Sequence, residues 1–247
     1  MNPDGFSLMN LGYAASSDID LEDTESDERY SFQLYHHVAS PAEFHDHEVL
    51  EVGCGRGGGA YFIKKYLNPK SMVGLDLAGR AVKLCKEKYG TDGLDFINGD
   101  AEALPFLDNS FDIVINVESA FHYPSRDDFF REVKRVLRKD GYFLYADVEI
   151  RNEVESLDNS ILEAGFTLLK REVINDNVIK ACDLDSIRRK RIIDSSCHPL
   201  FRFLAYNIPA VPDSRAYNKI KSGEIQYLCY ALKKSENELL KNKNLIL

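Results

Sequence analysis

The 247-residue chain has no tryptophan, only three methionines, and no apolar run that approaches the ~18 residues a membrane-spanning helix needs. The last absence excludes an integral membrane segment, and the first removes the largest aromatic side chain from any binding site. The five cysteines, at positions 54, 85, 182, 197 and 229, never fall in the paired Cys-x-x-Cys spacing of zinc sites or redox couples. Reduced thiols and no metal centre are therefore expected. Positive charge is also scarce, with 31 Lys and Arg against 40 Asp and Glu and a formal net charge of −9. That balance argues against a nucleic-acid partner, whose phosphates require a basic surface. The one dense basic run, Arg188-Arg189-Lys190-Arg191, reads as a solvated helix face. No positively charged, then apolar, leader opens the chain, so the expectation is a soluble cytoplasmic protein. The sequence is silent on oligomeric state.

Short apolar runs alternate with amphipathic ones from residue 48 onward. Strands are expected at 48–53, 72–76, 94–98, 111–116 and 141–148, with helices near 57–67, 78–90, 126–138 and 154–164 between them. Two more strands, near 166–174 and 225–233, complete a seven-stranded, mainly parallel, doubly wound α/β sheet of the Rossmann-like kind. Ahead of it, residues 6–13 are apolar enough to dock, 16–30 read as an acidic surface loop, and 30–39 read as a helix that stops before Pro41. The stretch from 174 to 224 is far longer than an ordinary connection between strands. Its apolar content (Ile187, Ile192, Ile193, Leu200, Phe201, Phe203, Leu204, Tyr206, Ile208) marks it as an inserted helical cap, expected to roof, with the N-terminal segment, the crevice at the carboxyl ends of the strands. The expected organisation is an N-terminal helical segment (1–47), a core (48–173 plus 225–233), the cap (174–224) and a polar tail (234–247).

Function is written most densely in Val49-Leu50-Glu51-Val52-Gly53-Cys54-Gly55-Arg56-Gly57-Gly58-Gly59 and in Asp76, which closes the next apolar run. A buried strand that breaks into glycines and opens a helix, with an acid at the neighbouring strand tip, holds an adenosine: the glycines admit the ligand, and the acid accepts from the ribose hydroxyls. Gly53, Gly55 and Gly58 also satisfy the dinucleotide fingerprint, which keeps an NAD(P)-dependent oxidoreductase as an alternative. Glu51 tips the balance, because a carboxylate there repels a pyrophosphate but suits the ammonium of S-adenosylmethionine. Asp100, in Asn98-Gly99-Asp100-Ala101-Glu102, stands at a strand tip suited to an adenine amino group.

This order of motifs over residues 48–148 resembles that of a class I S-adenosylmethionine-dependent methyltransferase. More closely, Gln33-Leu34-Tyr35-His36-His37, the glycine run, Asn116-Val117-Glu118-Ser119, Phe143-Leu144-Tyr145-Ala146-Asp147 and Asp183-Leu184-Asp185-Ser186 resemble the phthiotriol/phenolphthiotriol dimycocerosates methyltransferase family. The resemblance implies that Glu51, Gly53 and Gly55 hold the methionine end of the cofactor, Asp76 and Leu77 the ribose and adenine, and Asp100 and Ala101 the adenine edge. Asn116 would supply a backbone contact, and Cys54, Glu102 and Val117 stand beside these as further cofactor contacts. The implied activity is methylation of hydroxyls on large lipid or polyketide products, leaving S-adenosylhomocysteine. Two departures stand out. The family's Asn-x-Gly-Tyr-Trp element is here Asn10-Leu11-Gly12-Tyr13-Ala14, and the family's histidine two residues after the loop serine is Phe121, with His122 one place later.

Transfer of a methyl group from a sulfonium to a hydroxyl needs in-line positioning and loss of a proton, for which a histidine is well matched at neutral pH. His122, His36 and His37 are the candidate bases, and Glu118, Tyr123 and Tyr13 the candidate acceptor contacts. His45-Asp46-His47 reads as surface loop rather than a metal site. The Asn116-Val117-Glu118-Ser119 loop is not the Asn/Asp-Pro-Pro-aromatic element of amino-methyltransferases, and Asp112 stands without the clustered acids of metal-dependent catechol enzymes. A non-catalytic S-adenosylmethionine-binding protein remains the other alternative.

Overall fold

The computed structural model describes residues 7–16, 19–196 and 210–235. After a short 3-10 helix at Asp23–Glu28 and helix α1 (Arg29–Ala39), the chain alternates β1 (Glu48–Val52), α2 (Gly58–Phe62), β2 (Ser71–Asp76), α3 (Gly79–Tyr89), β3 (Leu94–Asn98) and β4 (Phe111–Val117). It continues through α4 (Arg126–Val136), β5 (Leu137–Ile150), α5 (Val154–Glu163), β6 (Phe166–Val173), α6 (Asn175–Leu184), α7 (Ser186–Ser196), α8 (Arg215–Lys221) and β7 (Ile225–Lys234). The sheet order is β3-β2-β1-β4-β5-β7-β6; neighbours from β3 to β5 are parallel, and β7 runs antiparallel to both β5 and β6.

The strands form where apolar runs can be covered on both faces. Ile113 and Ile115 of β4 belong to one apolar cluster and Val114 to the other, so the two clusters flank the sheet. One contains Leu34, Val38 and Phe62; the other contains Phe129, Phe130 and Leu157. Helix α4 shows how local sequence sets a boundary. Ser125 Oγ accepts from Asp128 N at 3.2 Å, Asp127 and Asp128 sit at the positive end of the helix dipole, and Phe129, Phe130, Val133 and Val136 face the sheet.

The sequence expectation places every strand and departs from the structure in detail. Strand β5 begins at Leu137 rather than 141, because Leu137 pairs with Phe111 before residues 138–141 loop out opposite Asp112. Arg138 Nη1 meets Asp112 Oδ2 there at 2.8 Å, and Asp140 takes the left-handed φ of 60° that the turn requires. The helix expected over 57–67 is α2 followed by a π-helical stretch, Ile63–Leu67, closed by Asn68 at φ 47°. Within the insertion, α6 buries Val178, Ala181 and Cys182. Ile193 is buried, whereas Ile187 is 73% exposed. Phe6, Cys197, His198, Leu200, Phe201, Phe203, Leu204, Tyr206, Ile208 and the tail beyond 235 lie outside the described residues.

The strand order reverses between β1 and β4, so the crevice at their carboxyl ends is where an α/β sheet of this kind takes its ligand. No described helix is long and apolar enough to cross a membrane.

Candidate active site

The turn after β1 is fastened to the tip of β2: Gly53 N and Cys54 N both donate to Leu75 O, at 2.8 and 3.0 Å. Gly53 takes φ +74°, and a Cβ there would run into the Ser119 side chain and the Tyr123 hydroxyl. Gly55 takes φ +52°, and a Cβ would meet only Met9 Cε at 4.0 Å. One glycine thus lets the β4 loop approach, and the other leaves space for a ligand. Asp76 sets the far side of the turn, with Oδ2 accepting from Gly55 N at 2.8 Å and Oδ1 from Ala78 N at 2.9 Å.

These residues open into a cavity of about 670 Å³. Gly53, Cys54, Gly55, Asp76 and Leu77 line one part, Asp100, Ala101 and Glu102 the next, and Val117, Glu118, His122 and Tyr123 the third. Leu77 is 73% exposed at the mouth, an apolar surface suited to a planar base. Asp100 Oδ1 accepts from Glu102 N at 2.9 Å, and Glu102 Oε1 from Ser125 N at 2.5 Å, which fixes this acidic edge to the start of α4.

Glu51 and Asn116 lie behind the lining and are fully buried. Tyr35 donates to Glu51 Oε1 at 2.6 Å, whereas Oε2 is buried with no hydrogen-bond partner among the described residues. Burial pushes the Glu51 pKa up to about 8, against the opposing Tyr35 hydrogen bond. Asn116 Nδ2 donates to Val52 O at 2.9 Å and Ser119 Oγ at 2.7 Å, tying β4 to the cofactor turn.

Past β4 the loop folds back sharply. Glu118 takes a left-handed φ of 50°, unusual for a residue with a side chain. Its Oε1 accepts from Leu11 N at 2.6 Å and from the Tyr227 hydroxyl at 2.7 Å. Desolvation raises its pKa to about 7. Buried Asp147 holds the next turn, with Oδ2 accepting from Phe121 N at 2.9 Å, and its pKa is also pushed up by burial, to about 8. His122 is exposed on the rim, its ring 3.7 Å from that of Phe121.

Besides Glu51 and Asn116, which lie behind its lining, three expected residues are not brought to this cavity. His36, His37 and Tyr13 line a separate cavity of about 520 Å³. Helical spacing explains the separation: Ser31 and Tyr35 face the cofactor turn, while Gln33, His36, His37 and Ser40 share another face of α1. His37 pairs with Glu172 at 3.1 Å and stacks on Tyr13 with ring centroids 4.2 Å apart; burial lowers its pKa in spite of Glu172. His45 and Asp46 form an exposed pair, and the described residues hold no cluster that could bind a metal.

The roof expected from the N-terminal segment and the cap is present, but the sequence did not single out the residues that form it. Leu8, Met9, Asn10 and Leu11 line the cavity, as do Tyr35, Arg188 and Arg189. The expectation of a solvated basic face is corrected for half of that run: Arg189 is only 3% exposed, whereas Lys190 and Arg191 are exposed. Asp185 draws both guanidiniums inward, meeting Arg188 Nε at 2.6 Å and Arg189 Nε at 3.1 Å. Arg189 Nη2 in turn donates to Leu11 O at 2.7 Å. The hint was Asp185 itself, three and four residues before the two arginines.

The parallel sheet with its antiparallel seventh strand, the glycine turn and the carboxylate at the tip of β2 define a class I S-adenosylmethionine-dependent methyltransferase. The residues present fit that cofactor: Glu51 Oε2 is an orphaned acceptor for a cation, the space beside Gly55 is open, and Asp76 is fixed where ribose hydroxyls can donate.

Comparisons with known proteins agree. Residues 50–145 match the Methyltransf_11 family, described as a methyltransferase domain. The chain is 35% identical over 236 residues to a fatty-acid O-methyltransferase of Mycolicibacterium smegmatis, covering 95% of this chain and 85% of that protein. It is 36% identical over 229 residues to a phthiotriol/phenolphthiotriol dimycocerosates methyltransferase of Mycobacterium tuberculosis, covering 92% of this chain and 85% of that one. The chain belongs to the family of these mycobacterial lipid methyltransferases. In fold it is similar to geranyl diphosphate C-methyltransferase from Streptomyces coelicolor A3(2), solved with S-adenosyl-L-homocysteine, with a TM-score of 0.68 at 16% identity and coverage of 94% and 91%.

Proposed function

We propose that this methyltransferase O-methylates a hydroxyl of a bulky, mostly apolar acceptor, a lipid or polyketide intermediate, in the cytoplasm. The cavity carries the reading. Beyond the cofactor turn its walls include Leu8, Met9, Leu11, Phe121, Ile192 and Ile193, an apolar stretch beside Glu118, Arg188 and Arg189. The names of the two mycobacterial relatives, which act on fatty acids and on phthiotriols, support a lipid acceptor.

In this reading Asp76 holds the ribose, Leu77 covers the adenine, Asp100, Ala101 and Glu102 frame its edge, and Glu51 faces the methionine ammonium. When bound, S-adenosylmethionine supplies an electrophilic methyl group on a positively charged sulfur. The chain's part is to place an acceptor oxygen in line with that methyl at ~3 Å, to exclude water and to receive a proton. The division into an N-terminal segment (1–47), a core (48–173 plus 225–233) and an insertion (174–224) fits this reading: described residues of the first and last, Leu8 to Leu11 and Arg188, Arg189, Ile192 and Ile193, line the cavity over the core. Tyr123 and Glu118 sit where they can touch the acceptor. Of the three histidines named from sequence, His122 is the one that lines this cavity, on its rim.

Calorimetry with S-adenosylmethionine, S-adenosylhomocysteine and NAD tests the cofactor. Methyl-labelled S-adenosylmethionine with hexadecan-1-ol tests the acceptor class. Binding of the two sulfur compounds but not NAD, with label entering a methyl ether, is the expected result. Binding without transfer to any long-chain alcohol would reduce the protein to a binder or move the acceptor to another class.

A further inference from the structure

We infer that Glu118 is the group that receives the acceptor's proton, an inference that rests on the methyl-transfer reading above and supplies the base it lacks.

Glu118 Oε1 accepts two hydrogen bonds, from Leu11 N and from the Tyr227 hydroxyl. Those bonds fix the carboxylate in place. Oε2 receives no hydrogen bond from a described residue and is not among the buried unpartnered atoms, so it is the oxygen that faces the cavity. A fixed acceptor with one free oxygen is what a general base requires: orientation first, then a suitable affinity for the proton.

The backbone supports the same reading. Glu118 follows directly on β4 with φ +50°, a strained value held by the Glu118 N to Ala146 O bond at 2.8 Å. Strain of this kind is kept where a side chain must be aimed. Without it, the period-two alternation of β4 would set the direction of the side chain.

The groups around Glu118 set its proton affinity. Burial raises it, while the Leu11 amide, the Tyr227 hydroxyl and the Arg189 charge lower it, leaving the pKa at about 7. Asp147 on β5, Tyr35 on α1 and Cys182 on α6 are also within electrostatic reach. A carboxyl group that titrates near neutrality is half available as base at working pH, and its conjugate acid releases the proton readily. His122 lacks this fixing: it is exposed on the rim, with its ring against Phe121.

The step balances without a further reactant. The acceptor O–H bond breaks and its proton passes to Glu118 Oε2. The oxygen electron pair forms the new C–O bond, and the S–CH₃ bond breaks with its pair left on sulfur, which becomes neutral. Glu118 then returns the proton to solvent through the cavity mouth.

Two measurements on the full-length protein saturated with S-adenosylhomocysteine or supplied with S-adenosylmethionine test this. In the first, dodecylamine, whose ammonium replaces the acceptor hydroxyl as donor, is titrated into the S-adenosylhomocysteine complex. Its affinity should rise about tenfold from pH 6 to pH 8 as Glu118 ionises, and the rise should vanish in Glu118→Gln. A pH-independent affinity, or a rise that survives in Glu118→Gln, overturns the inference. In the second, hexadecan-1-ol is the acceptor. Glu118→Gln should lower kcat by about 10²-fold or more, keep the S-adenosylhomocysteine affinity and melting temperature, and lose the acid limb of the pH profile. Glu118→Asp should recover part of the rate, and His122→Asn should keep the acid limb. A Glu118→Gln enzyme within about threefold of wild-type kcat overturns the proposal. If the alcohol is not methylated at all, the hydroxyl reading fails, while the amine titration still decides the role of Glu118.

Discussion

The hydroxyl of Tyr35, on the helix before the sheet, donates to Glu51 Oε1 at 2.6 Å, while Oε2 of the same carboxylate is buried with no partner among the described residues. A fully buried carboxyl group with half of its acceptors unmet prefers to be neutral, and its pKa is pushed up to about 8. It becomes a stable carboxylate when a cation arrives. In the proposed reading the Tyr35–Glu51 pair couples the N-terminal helix to the charge of the cofactor.

The first prediction follows from that coupling. With a pKa near 8, Glu51 should be protonated at pH 7 in the free protein and, in the proposed reading, ionised beside the cofactor ammonium, so binding should release close to ~1 proton. Release should fade above pH 8, where the free protein is already ionised. Titration of S-adenosylhomocysteine in buffers of different ionisation enthalpy measures it, and a heat independent of buffer would refute it. Tyr35→Phe removes one hydrogen bond to the charged form and should weaken binding by roughly tenfold.

Stability should respond to the same groups. Glu51 and Asp147 have pKa values raised to about 8 and Glu118 to about 7, all above their unfolded values. The folded state then binds more protons than the unfolded state, so their contribution is fully present below the ordinary carboxylate pKa and is lost as pH rises through 7 to 8. Paired carboxylates such as Glu25 and Glu48, whose pKa values are lowered, act in the opposite sense at acid pH. The melting temperature of the cofactor-free protein should peak between these ranges and fall from pH 6 to pH 9. A flat or rising profile over that interval would contradict the assignment.

Much of this was legible from the chain. The strands showed themselves because a parallel sheet needs continuous apolar runs, and the glycines with Asp76 because close approach and ribose binding restrict residue type. The roof was legible as an apolar N-terminal segment and a long insertion, but the contacts that hold it were not, for a physical reason. Arg189 is drawn inward by Asp185 and by the carbonyl of Leu11, 178 residues earlier, a contact that no local pattern announces. His36 and His37 were expected near the site because they end the helix before β1, but a helix turns its residues to different faces, and these two line the other cavity. Glu118 read as an acceptor contact, and only its backbone twist and its two donors mark it as fixed.

Asp76 gives a sharper test of the cofactor site. Its two oxygens already order Gly55 N and Ala78 N, so Asp76→Ala should remove the proposed ribose acceptor and loosen the glycine turn together. Two charged hydrogen bonds at about 1.5 kcal/mol or more each predict at least ~100-fold weaker binding of S-adenosylhomocysteine. His122→Ala, on the rim, should leave that affinity unchanged. Calorimetry on both variants separates the roles, and comparable losses in the two would place His122 in the cofactor site instead.

The clamp over the cavity depends on Asp185. It is buried, meets both Arg188 and Arg189, and through Arg189 holds the Leu11 carbonyl, while Glu118 holds the Leu11 amide. Asp185→Ala leaves two inward guanidiniums without their shared counter-charge, in a place where Arg188 Nη1 already has no hydrogen bond among the described residues and Glu28 Oε1 is 4.0 Å away. Breaking a buried pair on one side costs about 3 kcal/mol, which lowers the melting temperature of a protein this size by roughly 6–12 °C. Lys190→Ala and Arg191→Ala, on the exposed face of the same helix, should each stay within about 0.5 kcal/mol of wild type. The clamp also predicts a functional split: Asp185→Ala should release S-adenosylhomocysteine faster, because Leu11 loses its anchor on the cap side. Thermal melts with stopped-flow dissociation read both effects, and a variant with wild-type stability and release rate would show that the strap is held by other contacts.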